Sequence, residues 1–432
     1  MTRELISLTP PRETALLVGA PLKRSAARHR VDEHLAELER LADTAGAVVV
    51  GRLTQQLDRP NSRTYLGKGK MDELKSLVAE REASVVIFDD ELSPSQGKNI
   101  EDLVGQRVVD RAELILDIFA TRARSSEARM QVELAQLAYM LPRLTRMWTH
   151  LEKFRGGIGV RGPGETQLET DRRLIGHRIK VLKERLADVQ KGREVRRQGR
   201  RGEFRASLVG YTNAGKSSIL RAMSGSEDVF VEDRLFATLD PLTREADIGE
   251  GNRVLLTDTV GFIRKLPHHL VASFRATLEE AREADLLLHV IDASHSAWEE
   301  HRQVVDDVLA DLALAERPVL HVFNKVDRLD HESVLALQER THNLLPNSVF
   351  VSALEAAGLE PLSRALLAAA QQRRRVATVT LPASDGRLLA EVHRTGEVLE
   401  QHTKDGRTVL RARLDEEAVG RLRRGGAKVE TA

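Results

Sequence analysis

Gly210-Tyr211-Thr212-Asn213-Ala214-Gly215-Lys216-Ser217 fits the phosphate-cradling pattern G-x-x-x-x-G-K-[ST] and decides how the chain is read. An apolar, strand-like run from Phe204 to Val209 leads into it, and a helix-like run from Ser218 to Met223 leads out. The setting matters because the loop's backbone N–H groups and the helix N-terminus bind anionic oxygens together. Lys216 is expected to reach the β- and γ-phosphates of a nucleotide, and the Ser217 hydroxyl to hold Mg²⁺. Ser218 completes the candidate phosphate-binding set. Alone, the stretch also reads as a glycine-rich turn without a ligand, so its neighbours must decide.

Four segments downstream do so. Leu255-Leu-Thr-Asp258-Thr259-Val260-Gly261 is an apolar strand ending in a carboxylate, with a glycine three residues on. Asp258 suits the outer sphere of Mg²⁺, acting through a water, and the Gly261 N–H can approach the γ-phosphate closely. Before it lies Phe236-Ala237-Thr238-Leu-Asp-Pro241, a candidate for the segment that orders around γ-phosphate and Mg²⁺ and relaxes after hydrolysis. Thr238, rather than Thr243, is expected to supply its metal-binding hydroxyl.

The base is read further along. Val319-Leu-His-Val-Phe-Asn324-Lys325-Val-Asp327 is a buried-looking strand that ends in N-K-x-D. The Asp327 carboxylate can accept two hydrogen bonds from guanine, from N1–H and the exocyclic amine. Adenine would leave it unpaired, which a buried charge tolerates poorly. Val349-Phe-Val-Ser352-Ala353-Leu354 adds a last strand, from which the Ala353 N–H can reach the guanine oxygen. In this order the segments predict a guanine-nucleotide-binding domain with GTP as substrate. Lys216, Thr238 and Gly261 are the residues expected to act on the γ-phosphate.

The set resembles the translation-factor-related GTPases, and a second stretch narrows the resemblance. Arg155-Gly-Gly-Ile-Gly-Val-Arg161-Gly162-Pro-Gly164-Glu165-Thr-Gln167-Leu-Glu169-Thr-Asp171-Arg172-Arg173 closely resembles the signature linker of the HflX family of bacterial ribosome-associated GTPases. Tyr65-Leu-Gly-Lys-Gly-Lys70 and the segment from Phe236 to Pro241 match it too, and the resemblance spans roughly residues 10 to 430. It implies a factor that binds the large ribosomal subunit, separates stalled or idle ribosomes under stress, and leaves after hydrolysis. It also implies that the glycine-rich loop reaches the catalytic centre of that subunit. The family's N-terminal domain contacts ribosomal RNA and has been credited with nucleotide binding, yet Gly67 to Lys70 lacks the spacing of a phosphate loop. Where many GTPases place Gln after D-x-x-G, Phe262 stands here, an apolar substitution the family shares. It implies slow intrinsic hydrolysis, with the missing contribution supplied by the ribosome. In cation-activated relatives an Asn at the position of Asn213 helps coordinate K⁺; the other reading is a residue favoured in turns. Two further functions compete: an RNA-modifying or ribosome-assembly GTPase, and a nucleotide-independent RNA-remodelling scaffold.

At 432 residues the chain is too long for one ordinary core and should hold two or three domains. Lys+Arg (66) and Asp+Glu (65) nearly cancel, so whole-chain charge says nothing of partners. Cysteine is absent, which excludes disulfides and fits a reducing cytosol, and a cytoplasmic monomer is expected. The first residues carry an acid and prolines where a signal peptide needs an apolar stretch, and no apolar run approaches the ~20 residues of a membrane span. Only 3% of residues are aromatic, so RNA would be held through phosphates rather than stacked bases.

Along the chain, residues 1–120 alternate strands and helices and predict a small parallel α/β domain. In 121–200, Met130, Leu134, Leu137, Leu141 and Leu144 fall at helical spacing, as do Leu168, Ile175, Ile179, Leu182, Leu186 and Val189. They predict an antiparallel helical hairpin tipped by the glycine-rich loop 155–166, with its first helix kinked or interrupted at Pro142. The tip, with Arg155 and Arg161, and the basic stretch 172–205 are the candidate contacts to ribosomal RNA. Residues 201–372 form the GTPase domain. Residues 373–432 read as an α+β tail with strands Val376 to Leu381 and Thr408 to Leu414, a helix from Leu388 to His393, and a turn at Asp405-Gly406. His289 and His321 fall in apparent core strands and are assigned structural roles.

Overall fold

The computed structural model describes residues 12–147, 163–197, 203–229, 231–266, 280–355, 357–373, 375–404, 406–414 and 416–431. The tip residues 155–162 therefore lie outside the described residues, while Pro163 to Thr166 form the first turn of a helix rather than part of a loop. Contacts divide the chain into two compact units.

The first unit comprises residues 1–189 together with Glu232–Asp240 and Ile263–Ala276. Its sheet is wholly parallel, in the order β2 (Val48–Thr54), β1 (Thr14–Gly19), β3 (Val85–Phe88), β4 (Arg107–Asp110). All four residues of β3 are buried, as a parallel strand covered on both faces requires. Helices α1 (Val31–Thr44), α2 (Lys68–Glu80), α3 (Pro94–Val104) and α4 (Arg111–Arg122) follow the strands in turn. Local chemistry sets the ends of α3: Ser93 and Gln96 form a capping box, Pro94 opens the first turn, and Gly105 closes the helix in the left-handed conformation. Gly67 caps α2 and Lys68 to Lys70 form its first turn, the Gly67 N–H donating to Gln55 and Lys70 pairing with Glu73 at 2.9 Å.

Helix α5 (Ser126–Met147) runs through Pro142 without interruption. A proline removes one N–H and strains one turn, and here the Arg143 side chain donates to the Tyr139 carbonyl in that turn. The buried face of α5 is Ala128, Gln131, Val132, Leu134, Ala135 and Tyr139, rotated from the expected stripe, of which only Leu134 is buried. Small alanines let α5 pack closely on α4, so the largest apolar residues are not the most buried. Along α6 (Pro163–Arg197), Ile175, Ile179, Leu182, Leu186 and Val189 are the inward residues, as the spacing predicts. Arg178 forks onto Glu133 through Nε (2.6 Å) and Nη2 (2.8 Å). Glu133 lies 14 residues before the end of α5 (147 − 133) and Arg178 lies 15 after the start of α6 (178 − 163). Nearly equal distances from the facing helix ends are what an antiparallel pair requires.

The second unit holds two sheets. In the larger, β10 (Ser348–Phe350), β9 (Val319–Asn324), β8 (Leu286–Asp292), β5 (Phe204–Gly210) and β7 (Asn252–Asp258) are parallel, and β6 (Leu242–Gly249) pairs antiparallel at the edge. Helices α7 (Lys216–Ser224), α8 (Trp298–Asp311), α9 (His331–His342) and α10 (Glu360–Arg373) flank it. Ile219, Leu220, Leu362 and Leu366 from α7 and α10 share a core with Leu208, Leu256, Leu288 and Val322. The smaller sheet, β11 (Arg375–Pro382), β12 (Glu397–Lys404), β13 (Arg407–Leu414) and β14 (Lys428–Thr431), is antiparallel and packs against α11 (Gly386–Thr395) and α12 (Glu416–Arg424). The chain is thus a multidomain α/β protein with a parallel sheet, a helical pair, a mixed sheet carrying the phosphate loop, and an α+β tail.

His289 and His321 face each other across β8 and β9, with ring centroids 5.6 Å apart. Burial pushes both below the ordinary imidazole value, His321 to about 4, although Asp306 near His289 opposes this. As pH falls from 6.5, the unfolded chain therefore binds protons that the fold refuses, and stability declines towards pH 4. Thermal denaturation at pH 5 should give a lower midpoint than at pH 7, and His321→Gln should narrow that difference. An equal pH dependence in both proteins would contradict the assignment.

Candidate functional site

The phosphate loop is built on the C-terminal end of β5, whose last five residues are fully buried. Gly215 caps α7 at φ 97, and a Cβ there would run into the Asn324 side-chain amide. Asn213 adopts φ 61, a left-handed conformation that Asn tolerates better than most residues. Lys216 is 6% exposed, and its Nζ donates to the carbonyls of Gly210 (3.1 Å) and Tyr211 (2.9 Å). Burial lowers its pKa from 10.5 to about 8, with Asp258 opposing and Lys325 adding to the fall. Next to it, the Ser217 hydroxyl donates to Asp258 Oδ2 at 2.6 Å. A hydroxyl and a carboxylate side by side are the hard oxygen donors that suit Mg²⁺.

The D-x-x-G segment is stitched to the loop by its backbone. The Phe262 N–H donates to the Gly210 carbonyl (3.0 Å), and the Thr212 N–H donates to the Phe262 carbonyl (2.6 Å). Between them a Cβ on Gly261 would sit 2.6 Å from Thr212 Cα and 3.1 Å from Lys216 Nζ. Only glycine fits where that backbone meets the loop. Thr259 is held inward by its bond to the Leu208 carbonyl, and Val260 is buried. The Phe262 side chain is 1% exposed, so no polar group stands in its place.

At the base-reading end, Asn324 is a strut. Its Nδ2 donates to the Ala214 carbonyl (3.0 Å), and its Oδ1 accepts from the Ala353 N–H (3.3 Å). Lys325, in the left-handed conformation, bonds the Asn213 carbonyl (2.8 Å) and pairs with Asp292 (2.7 Å). Burial pushes Asp292 up, yet Lys325 and Ser294 hold its carboxyl below the usual range. Asp327 is exposed, and one of its oxygens is fixed by the hydroxyl of fully buried Ser352 at 2.6 Å. Leu354 donates its N–H to the same hydroxyl, and its side chain is exposed. Ser218, Ala353 and Leu354 line a cavity of about 390 Å³ with Arg221 and Val231. The structure thus brings residues 210–218, 258–261, 324–327 and 352–354 together. Two participants were missed by the sequence reading. Asp292 ends β8 in register with Asn324, the signal that could have found it. His301 stacks on Tyr211 at 3.8 Å and 6°, which no sequence spacing announces.

Phe236, Ala237 and Thr238 belong to the first unit. Phe236, at φ 56 and 1% exposed, packs edge-on against Phe119 of α4. Ala237 and Thr238 are half-buried. Asp240 accepts from the N–H groups of Arg124 (3.0 Å) and Ser125 (3.2 Å) and from the Ser125 hydroxyl, at the start of α5. The residues after Phe262 are fastened likewise. Arg264 bonds Glu37 (2.9 Å), and Lys265 bonds Asp89 and Asp90 (both 2.6 Å). Fully buried Arg111, the first residue of α4, ties Glu37 to Asp89.

Fold and site together define a P-loop GTPase, an enzyme that binds and hydrolyses GTP. Residues 205–325 match the family described as 50S ribosome-binding GTPase, 32–120 match GTP-binding GTPase N-terminal, and 122–200 match GTP-binding GTPase Middle Region. Proteins described as GTPase HflX are 46% identical over 394 residues in Caldanaerobacter subterraneus subsp. tengcongensis (91% of this chain, 90% of that one). The Escherichia coli K12 protein is 45% identical over 389 residues, covering 88% and 90%. A GTP-binding protein from Sulfolobus solfataricus, solved in complex with GDP, is 27% identical over 83% of this chain and 99% of its own, with a TM-score of 0.45. The chain belongs to the GTPase HflX family.

Proposed function

We propose that the protein is a GTP-dependent factor that docks on the large ribosomal subunit, separates stalled or idle ribosomes under stress, and departs after hydrolysis. It is organised as domains 1–120, 121–200, 201–372 and 373–432, acts as a monomer and works in the cytoplasm. Among the described residues no helix is long and apolar enough to cross a membrane. The observation that carries the reading is Phe262: apolar, buried and bonded into the phosphate loop where a water-orienting amide would stand. A site that grips phosphates but lacks that group needs a partner for fast turnover. The family description matched by residues 205–325 points to the 50S subunit as that partner.

Residues 210–218 hold the phosphates, and Lys216, Thr238 and Gly261 act on the γ-phosphate. Ser217 and Thr238 would hold Mg²⁺ directly and Asp258 through water; the ion, when bound, neutralises charge between the β- and γ-phosphates. GTP would favour the docked form by ordering the loops around Thr238 and Gly261. The tip 155–166 and the basic stretch 172–205 would meet ribosomal RNA. Asn213 would help hold a K⁺ ion beside the β–γ bridge, so hydrolysis should be faster in KCl than in NaCl at equal ionic strength.

Co-sedimentation with purified 50S subunits tests the whole. Binding should be strong with a GTP analogue and weak with GDP, and single-turnover hydrolysis should accelerate at least about tenfold when subunits are added. Equal binding in every nucleotide state would favour the scaffold reading instead.

A further inference from the structure

Chain order through the small sheet is β11, α11, β12, β13, α12, β14, and spatial order is β12-β13-β11-β14. That is the ferredoxin-like βαββαβ arrangement. The buried residues of β11 and β13, Val379 and Leu410 among them, share one core with Val392 of α11 and Leu422 of α12. Both helices therefore cover one face, and the alternate residues of each strand stand on the other. Along β13 these are Arg407, Val409, Arg411 and Arg413, three cations in a single column.

We propose that this open face binds the phosphate backbone of structured RNA. Glu397 and Glu400 on β12 pair with Arg413 and Arg411 at 3.2 and 3.3 Å. Those pairs are solvated and therefore weak, so a phosphate can displace them. Lys404, directly opposite Arg407 in the hairpin, forms no ion pair with any described residue, and neither does Arg407. Thr378, beside Arg411 on β11, adds a hydroxyl of the kind that contacts phosphate oxygens. The exposed apolar side chains on β12 and β13 are Leu399 (39%) and Val409 (37%), each set beside charged residues. RNA-reading sheets that recognise bases carry aromatic residues to stack them; residues 375–432 contain no Phe, Tyr or Trp. The binding is therefore electrostatic and indifferent to sequence. It does not depend on the ribosomal role, since any structured RNA offers the same phosphates.

The test uses the full chain and a fluorescent 20-base-pair RNA duplex of arbitrary sequence, titrated by anisotropy at several KCl concentrations. Arg407→Glu with Arg411→Glu should weaken binding at least about tenfold and lower the salt slope by about 2, one unit per lost phosphate contact. Arg407→Gln with Arg411→Gln should act in the same direction but less, and Glu397→Gln with Glu400→Gln should tighten binding severalfold. GTP affinity and thermal midpoint should not move. Duplex affinity and slope unchanged by both arginine variants would overturn the proposal. So would lost association with 50S subunits while duplex binding stays intact, which would give the face to a protein partner.

Discussion

Asp327→Asn is expected to weaken GTP binding by a hundredfold or more while leaving the fold intact. The carboxylate is held in place by Ser352, whose hydroxyl is fully buried and donates at 2.6 Å. Asn can keep that bond through its remaining oxygen. Towards guanine, however, it presents an amide N–H to N1–H and the exocyclic amine, donor against donor. Two hydrogen bonds to a charged group are lost, each worth about 1.5–3 kcal/mol, and about 1.4 kcal/mol is tenfold in affinity. Xanthine carries a carbonyl where guanine carries the amine, so the same variant should prefer xanthosine triphosphate. Competition of both nucleotides against a fluorescent analogue reads this directly. GTP affinity within threefold of the parent protein would remove Asp327 from the base site.

Lys216→Met is expected to lower the hydrolysis rate by at least about 10²–10³, the usual loss when one preorganised donor to developing charge is removed. It should also erase a pH dependence. With the pKa near 8, the free protein loses this positive charge as pH rises. If only the charged form grips phosphates, GTP affinity should be nearly level from pH 7 to 8 and fall about tenfold by pH 9. The effect on stability has the opposite sign. The unfolded chain keeps the lysine proton up to about 10.5, so between pH 8 and 10.5 it binds more protons than the fold. Burying the charge is a penalty fully present below pH 8 and relieved above it. Lys216→Met should therefore be more stable than the parent at neutral pH while binding GTP worse. Parallel chemical denaturation and nucleotide titration at pH 7 and 9 would show whether the two trends separate.

The nucleotide site was legible because its chemistry tolerates few residues. A loop that meets phosphate with backbone needs Gly215, and the close approach of two chains needs Gly261; such positions announce themselves at fixed spacing. Asp292 did not, since a carboxylate ending a core strand reads as a boundary until register sets it beside Asn324. The parallel sheet of the first 120 residues followed from its alternating pattern, whereas β12 was missed because it is a polar edge strand with little buried on either face. The short β14 and helix α12 escaped because few apolar residues mark their buried sides, Val429 on the one and Ala418, Val419 and Leu422 on the other. On α5 the expected stripe gave weight to Met130, Leu137, Leu141 and Leu144, but the face buried is the one that carries Ala128, Gln131, Val132, Ala135 and Tyr139. The pairing of Asp240 with Ser125, 115 residues apart, has no local signature at all.

That pairing steadies the entry to α5 from far along the chain. Ser125, just before the helix, caps its first turn by accepting from the Ala128 N–H at 3.0 Å, and Asp240 in turn holds the N–H groups of Arg124 and Ser125. Whatever draws the 236–241 segment away loosens the residue that forms this cap, itself worth about 1 kcal/mol, and frees the amide hydrogens of Arg124 and Ser125. The helix entry is then a gauge for the loop: the Arg124 and Ser125 amides should exchange with solvent at rates set by the bound nucleotide. An event at a phosphate would be written, residue by residue, as exchange at the start of a helix.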